Sequence, residues 1–87
     1  MVTVINTHEV ADFNTWKQTF DSGAENRTRA GVNIRNIFRD MENPNKVTVI
    51  SEVADKDTAT AFIANLRPAL EKMAVSAPQI MILESVM

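Results

Sequence analysis

The chain has 87 residues, a formal net charge of −2, no cysteine and one histidine. These numbers predict a single domain over residues 1–87 without disulfides or thiolate metal sites, and one histidine leaves zinc without its usual ligand set, so no metal is predicted. Charges of both signs are dispersed and the apolar stretches are short, which predicts a cytoplasmic protein with neither nucleic acid nor a membrane as partner.

The first strand and the first helix are predicted from two different periodicities. Residues 2–8 alternate, which predicts a strand with one inward face consisting of Val2, Val4, Asn6 and His8. Asp12 is a good N-cap, and helical spacing follows it at Phe13, Trp16, Phe20, Ala24 and, at the end of the stripe, Arg27. Gly31 suits the position after the last helical residue, so one helix is predicted between Asp12 and Gly31.

Two strands around an Asn-Pro-Asn connector are predicted to form the central hairpin. Residues 32–39 and 47–53 are rich in β-branched side chains, and Asn43, Pro44 and Asn45 have the side chains of a turn. Strict alternation assigns one set to the face under the helices: Val32, Ile34, Asn36, Phe38, Val47, Val49, Ser51 and Val53. It assigns the other set to the open face: Asn33, Arg35, Ile37, Arg39, Thr48, Ile50 and Glu52.

The last third of the chain predicts a helix and a fourth strand. Asp55 or Asp57 is placed to cap a helix whose apolar stripe is Ala59, Phe62, Ile63, Leu66, Leu70 and Met73. Pro68 removes one hydrogen bond and clashes with the preceding turn, so a break or kink near Leu66–Arg67 and a second short helix are expected. Pro78 ends the helical region, and residues 80–86 are predicted to form the last strand.

The predicted order β-α-β-β-α-β is that of an α+β, ferredoxin-like domain with helices on one face of a four-stranded antiparallel sheet. The open face of that sheet carries five large aliphatic side chains: Ile5, Ile37, Ile50, Met81 and Leu83. Monomers rarely expose an apolar patch of this size, and a domain this short has a marginal core of its own. A homodimer that apposes the two open faces is therefore predicted, with Arg35 at the interface beside Glu52.

The hairpin segment IFRDMENPNKVTVISEV resembles the strand-turn-strand segment of the dimeric α+β barrel superfamily, in particular its antibiotic-biosynthesis-monooxygenase-like group. The matching residues are Phe38, Arg39, Asp40, Pro44, Asn45 and Glu52. The opening strand ending in His8 and the following VADFNTWKQTF are also similar to small members of that superfamily. The resemblance implies a dimeric barrel, but its motifs specify a hairpin and no reaction. Members include cofactor-independent monooxygenases, haem-degrading enzymes and isomerases.

His8 is the candidate catalytic residue, because histidine is the only side chain whose ordinary pKa lies near neutrality. At the end of the first strand it can serve as the base that removes a proton from a phenolic or enolic substrate. The alternative is a structural histidine that is hydrogen-bonded near Glu9 or Asp12. The sequence favours this alternative, because it identifies no second catalytic group.

The other candidate pocket residues are amides, aromatic rings and a hydroxyl: Asn6, Trp16, Phe20, Asn36, Phe38 and Ser51. Inward amides can orient a substrate carbonyl, and they can equally form a polar cluster with Ser51, His8 or water. In haem-degrading relatives an asparagine on the first strand lies near the haem, which Asn6 matches. Those relatives also have a histidine ligand where this chain reads TATAFIANLRPALEKM, so haem is not expected and no cofactor is predicted.

Three functions remain open from the sequence. The first is a cofactor-independent enzyme, similar to a monooxygenase, isomerase or cyclase, that acts on a small planar hydrophobic substrate. The second is a module that binds such a ligand without turnover, and the third is a purely structural homodimer. An open pocket reached by His8 and an asparagine would favour the first two, whereas a filled gap between helices and sheet would favour the third.

Overall fold

The computed structural model describes residues 1–87 and contains four strands and three helices. They are β1 (Val2–Glu9), α1 (Phe13–Ser22), α2 (Ala24–Arg29), β2 (Asn33–Arg39), β3 (Lys46–Val53), α3 (Lys56–Met73) and β4 (Gln79–Glu84). The strands form one antiparallel sheet in the order β2-β3-β1-β4. The predicted ferredoxin-like α+β fold is thereby confirmed, with β4 ending at Glu84 instead of at residue 86.

Two helices occupy the segment in which one was predicted. The side chain of Asp12 accepts a hydrogen bond from the backbone N–H of Thr15 at 2.9 Å and so caps α1, as expected. Gly23 then separates α1 from α2, because glycine weakens a helix interior by about 1 kcal/mol relative to alanine. Gly31 ends the segment with a φ of 76°, the left-handed conformation that glycine adopts without strain.

The connector between β2 and β3 is held by the amide and carboxylate side chains that predicted a turn. The Asp40 carboxylate accepts hydrogen bonds from the backbone N–H groups of Glu42 and Asn43 at 3.0 and 2.8 Å. The side-chain oxygen of Asn45 accepts a bond from the backbone N–H of Phe13 at 3.0 Å. The connector therefore also fixes the start of α1 over the sheet.

A register shift between Ile34 and Asn36 reverses the facing of the rest of β2. Ile37 pairs with Val49 and packs in the core beneath the helices, whereas Asn36 pairs with Ile50 and Phe38 with Thr48 on the open face. The predictions of an inward Asn36 and Phe38 and an outward Ile37 are therefore wrong. One additional residue on a strand of period two moves every later side chain to the opposite face.

The same shift moves Arg39, which had been predicted on the open face. Arg39 pairs with Val47, whose side chain is fully buried on the helix side, and its guanidinium lies 3.9 Å from the ring centre of Phe13. Arg35 forms the expected ion pair with Glu52, at 3.0 Å between Nε and Oε1.

Helix α3 runs through Pro68 without interruption, and no second helix begins after it. Asp55, not Asp57, is the N-cap, and it accepts a hydrogen bond from the N–H of Thr58 at 2.8 Å. Ile63 before the proline and Leu70 after it are both buried against the rest of the domain. Packing on both sides of Pro68 thus outweighs its local cost of about 3 kcal/mol, and the predicted break is wrong.

The core between helices and sheet consists of two clusters. Val4, Val32, Val53, Ala59 and Ile63 form one under α3, and Val10, Trp16, Val47 and Val49 form the other under α1. The inward alternation predicted for β1 and β3 is confirmed by these buried positions. None of the helices combines the length and the apolar composition needed to cross a membrane.

Candidate functional site

Three polar side chains are buried among the apolar residues of the core. Asn6 and His8 lie on β1 and Ser51 lies on the neighbouring β3, with exposed fractions of 6, 2 and 2%. Strand alternation places all three on the face beneath the helices, as predicted. Burying polar groups among apolar ones is unfavourable unless they find partners, so the hydrogen bonds of this cluster need to be accounted for.

Three atoms of this cluster have no hydrogen-bond partner within the protein. They are the side-chain oxygen Oδ1 of Asn6 and both ring nitrogens, Nδ1 and Nε2, of His8. The expected structural hydrogen bond of His8 with Glu9 or Asp12 is therefore absent. A buried polar atom without a partner costs about 1–3 kcal/mol, so a water molecule or a ligand that bonded to these atoms would stabilise the folded chain.

A cavity of about 100 Å³ separates this part of the sheet from the helices, and Asn6, His8 and Ser51 line it. Its other walls are aromatic and aliphatic, with one cation at the side: Trp16, Phe20, Phe62, Ile34, Val49, Leu66, Leu70 and Arg27. The gap between helices and sheet is thus open and partly apolar. A concave apolar site with a few convergent polar groups is the usual composition of a small-molecule pocket.

The aromatic wall of the cavity is formed by Trp16 and Phe20 on the inward face of α1. The rings of Trp16 and Phe20 are stacked, with centres 5.0 Å apart and planes 30° apart. The His8 ring meets Trp16 edge to face at 5.7 Å, so the imidazole is held by an aromatic contact and its nitrogens remain free of protein partners. The wall offers flat apolar surface beside a basic nitrogen, which suits a planar ligand.

Burial lowers the pKa of His8 below its ordinary value of 6.5, because desolvation disfavours the charged imidazolium. No carboxylate contacts the ring to reverse this effect. His8 is therefore neutral at physiological pH, and a neutral imidazole can accept a proton from a bound acid.

Stability is expected to fall on mild acidification for the same reason. The unfolded chain takes up a proton on His8 near pH 6.5, whereas the folded chain, with its lowered pKa, does not. The free energy of unfolding should therefore decrease as the pH drops below about 6.5, by at most about 1.4 kcal/mol per pH unit. Denaturant titrations at a series of pH values measure this slope.

The matched control for that slope is His8→Gln, which retains a polar side chain without the titrating group. The N-cap carboxylates of Asp12 and Asp55, whose pKa values are lowered by hydrogen bonds from Thr15 and Thr58, lose their contribution to stability only as the pH falls through and below their ordinary value of 3.8. A variant that loses stability between pH 6.5 and pH 5 as steeply as the parent chain would contradict the assignment to His8.

Arg27 is the cavity residue that the sequence indicated least clearly. It occupies the end of the helical stripe of Trp16 and Phe20, and its guanidinium lies 3.9 Å from the centre of the Phe20 ring. Desolvation lowers its pKa, and the negative charge of Asp21 partly opposes that shift. The periodicity of the stripe was the only sequence signal for its inward position.

Five of the predicted site residues come together around the cavity: Asn6, His8, Trp16, Phe20 and Ser51. Asn36 and Phe38 do not, because the register shift in β2 turns them to the open face. The residues that sequence analysis did not assign to a site are Arg27, Ile34, Val49, Phe62, Leu66 and Leu70. Most of these were predicted as core, because periodicity identifies an inward face but cannot show where that face borders a cavity.

Nowhere in the chain do three histidine, aspartate or glutamate side chains lie together in a way that could hold a metal ion.

No protein-family model matches this sequence, and no curated protein matches it.

Solved structures share the fold over the whole chain. A crystal structure of an antibiotic biosynthesis monooxygenase superposes with a TM-score of 0.75 at 14% identity, covering 100% of both chains. SnoaB, a cofactor-independent oxygenase from Streptomyces nogalater, gives a TM-score of 0.77 at 17% identity over 99% of this chain and 93% of its own. An uncharacterized NIPSNAP domain protein from Burkholderia xenovorans gives 0.69 at 10% identity over 99% and 95%. The chain therefore has the antibiotic-biosynthesis-monooxygenase fold that its hairpin sequence resembles, and identities this low establish the fold alone.

Proposed function

We propose that the cavity binds a small planar hydrophobic molecule with an acidic proton, and that His8 removes this proton without help from a bound cofactor. The observation that carries the proposal is a buried, neutral imidazole with two free ring nitrogens in an aromatic cavity. Asn6 supports it, because its free amide oxygen lies on the same strand face and can hold a substrate hydroxyl.

The chemistry that follows is a proton transfer from a phenol or enol to a His8 ring nitrogen, which leaves a delocalised substrate anion. In an isomerase or cyclase the imidazolium returns the proton at another position of the product. In a monooxygenase the anion gives electrons to dioxygen: a CH₂ group becomes a carbonyl, one oxygen atom is retained and the other leaves as water. The solved oxygenases with this fold favour the latter.

A ligand-binding module without turnover is the second candidate. It is favoured by one observation, namely that no carboxylate contacts His8 to orient the imidazole or to stabilise its protonated form. The two candidates differ in whether a bound phenol is consumed. A purely structural protein is the weakest of the three, because its own side chains do not fill the cavity.

The single tryptophan makes ligand binding measurable, since Trp16 lines the cavity and is 5% exposed. Single-ring phenols and quinols should change Trp16 emission saturably, and an oxygen electrode then reports turnover. Leu66→Phe, which adds bulk to the cavity wall, should weaken binding by about tenfold or more. Val75→Phe is the control, because Val75 is exposed and lies outside the cavity. Equal binding by the two variants would refute the proposed location, and saturable binding without oxygen uptake or product would select the binding module.

We further propose that the protein is a homodimer. With the observed register of β2, the open sheet face carries five large apolar side chains: Ile5, Phe38, Ile50, Met81 and Leu83. Three of them are 42 to 52% exposed in the single chain, namely Phe38, Met81 and Leu83. A second copy of the same face would cover this patch.

The cytoplasmic location of the protein stays a prediction.

A further inference from the structure

Arg27 is a partly buried cation in the cavity wall. Its side chain forms neither an ion pair nor a hydrogen bond with any residue of the chain. The carboxylate of Asp21, which raises its pKa, is already bound by Lys17 at 2.8 and 2.9 Å. Partial removal of a guanidinium from water without an ion pair is unfavourable, so a bound anion would stabilise Arg27.

The contact with Phe20 does not satisfy this guanidinium. The guanidinium carbon lies 3.9 Å from the centre of the ring, and such a cation–π contact contributes about 0.5–2 kcal/mol. The five N–H donors lie in the plane of the guanidinium and point past its edges. They remain available to a planar acceptor that approaches edge-on, and a carboxylate fits this fork with two parallel hydrogen bonds.

The position of Arg27 links it to the buried polar atoms of the site. Arg27, Phe62 and Leu66 line both the inner cavity and an open groove between α2 and α3. A molecule that reaches the cavity through this groove therefore passes the guanidinium. Asn6 and His8, whose side chains carry the unpaired atoms, line the same cavity and are both more than nine-tenths buried.

We infer that Arg27 binds a carboxylate of the ligand, so that the substrate class is a planar aromatic or enolic carboxylic acid. The carboxylate lies on the guanidinium at the side of the groove, and the planar part extends along Phe20 and Trp16 toward His8. This inference rests on the proposed function, because it needs the cavity to hold a planar molecule. The ligand must then carry a negative charge, and Arg27 is the residue that binds it.

Gly23 provides the space for this arrangement. A Cβ atom at Gly23 would lie 3.0 Å from Nη1 of Arg27, closer than side chains normally approach, and the Gly23 φ of −90° is open to other residues. Gly23→Ala should therefore displace the guanidinium by a few tenths of an ångström without straining the backbone. We expect this variant to reduce carboxylate binding less than removal of the charge does.

The test compares benzoate with its neutral isostere benzamide by titration of Trp16 fluorescence at neutral pH, with excitation where neither ligand absorbs. The parent chain should bind benzoate about tenfold to a hundredfold more tightly, the range expected for charge-assisted hydrogen bonds. Arg27→Gln should abolish the preference by weakening benzoate alone, and Arg27→Lys should retain part of it. Arg29→Gln is the matched control, because Arg29 is on the same helix, 71% exposed and paired with Glu25.

Each other outcome has a definite meaning. Equal binding of benzoate and benzamide by the parent chain overturns the carboxylate inference and leaves the proposed function standing. Equal weakening of both ligands by Arg27→Gln overturns it as well, since the arginine would then act only on the shape of the site. If neither ligand changes Trp16 emission, both the inference and the proposed function fail.

Discussion

His8→Ala is expected to lower turnover of a planar phenolic substrate by about 10²–10⁴-fold, the range that general-base catalysis contributes. The loss should be in kcat, because the aromatic and aliphatic walls of the cavity remain to bind the substrate. The melting temperature should change little, because His8 makes no hydrogen bond within the protein that its removal would break. Oxygen uptake and differential scanning calorimetry measure the two quantities on the same samples.

The pH dependence of turnover by the parent chain provides an independent check on this expectation. Since burial lowers the pKa of His8, kcat/KM should stay constant down to a pH below 6.5 and then fall as the imidazole becomes protonated. His8→Gln, which keeps a polar side chain at the position, should lose this acid limb together with the activity. Retained turnover in either variant would exclude His8 as the base. A large loss of melting temperature would instead assign it to structure.

Ile50→Glu is expected to dissociate the proposed homodimer. Ile50 pairs with Ile5 on the open sheet face, and in a symmetric dimer the change would place two carboxylates in one apolar contact. An unpaired buried polar group costs roughly 1–3 kcal/mol, so two copies should raise the dissociation constant by at least about thirtyfold. Light scattering coupled to size exclusion, over a range of protein concentrations, measures this change.

The parent chain itself provides the first check on the dimer. It should have a dimer mass at micromolar concentration, since two such faces can bury about 1,200 Å² or more in total. Met41→Glu is the matched control, because it introduces the same charge at a fully exposed position of the β2–β3 connector. A monomer mass for the parent chain, or equal dissociation by the two variants, would reject the proposed sheet-to-sheet interface.

Ligand binding and dimerisation can be tested separately, because the cavity and the proposed interface lie in different parts of the domain. The cavity and its polar atoms lie between the helices and one face of the sheet, whereas the proposed interface lies on the opposite face. Ile50→Glu should therefore lower binding of a planar carboxylate only if dimerisation stabilises the cavity. Ligand titrations followed by Trp16 fluorescence on Ile50→Glu and Met41→Glu show whether dimerisation and ligand binding are coupled.

The sequence by itself determined where the four strands lie along the chain and the facing of β1 and β3. Alternation over uninterrupted strands is a local property, and it correctly placed Asn6, His8 and Ser51 under the helices. The helical stripe likewise placed Trp16 and Phe20 on the wall that they form. These results follow from periods of 2 and 3.6 residues, which any short window of the chain displays.

Two features depend on contacts between distant segments, and only the tertiary structure decided them. The register shift between Ile34 and Asn36 depends on pairing with β3, and it reversed the predicted facing of Asn36, Ile37 and Phe38. The continuity of α3 through Pro68 depends on burial at both ends of the helix, which a local propensity does not include.

The site itself depends on the same kind of long-range information. Three polar atoms on β1 lack hydrogen-bond partners and Arg27 on α2 lacks an ion pair, because no neighbouring element places a matching group against them. Residue types and spacing reveal which groups are present, but an unsatisfied group is defined by its neighbours in space. The function proposed for this chain therefore rests on the packing of the helices over the sheet, which leaves a cavity where a core would otherwise close.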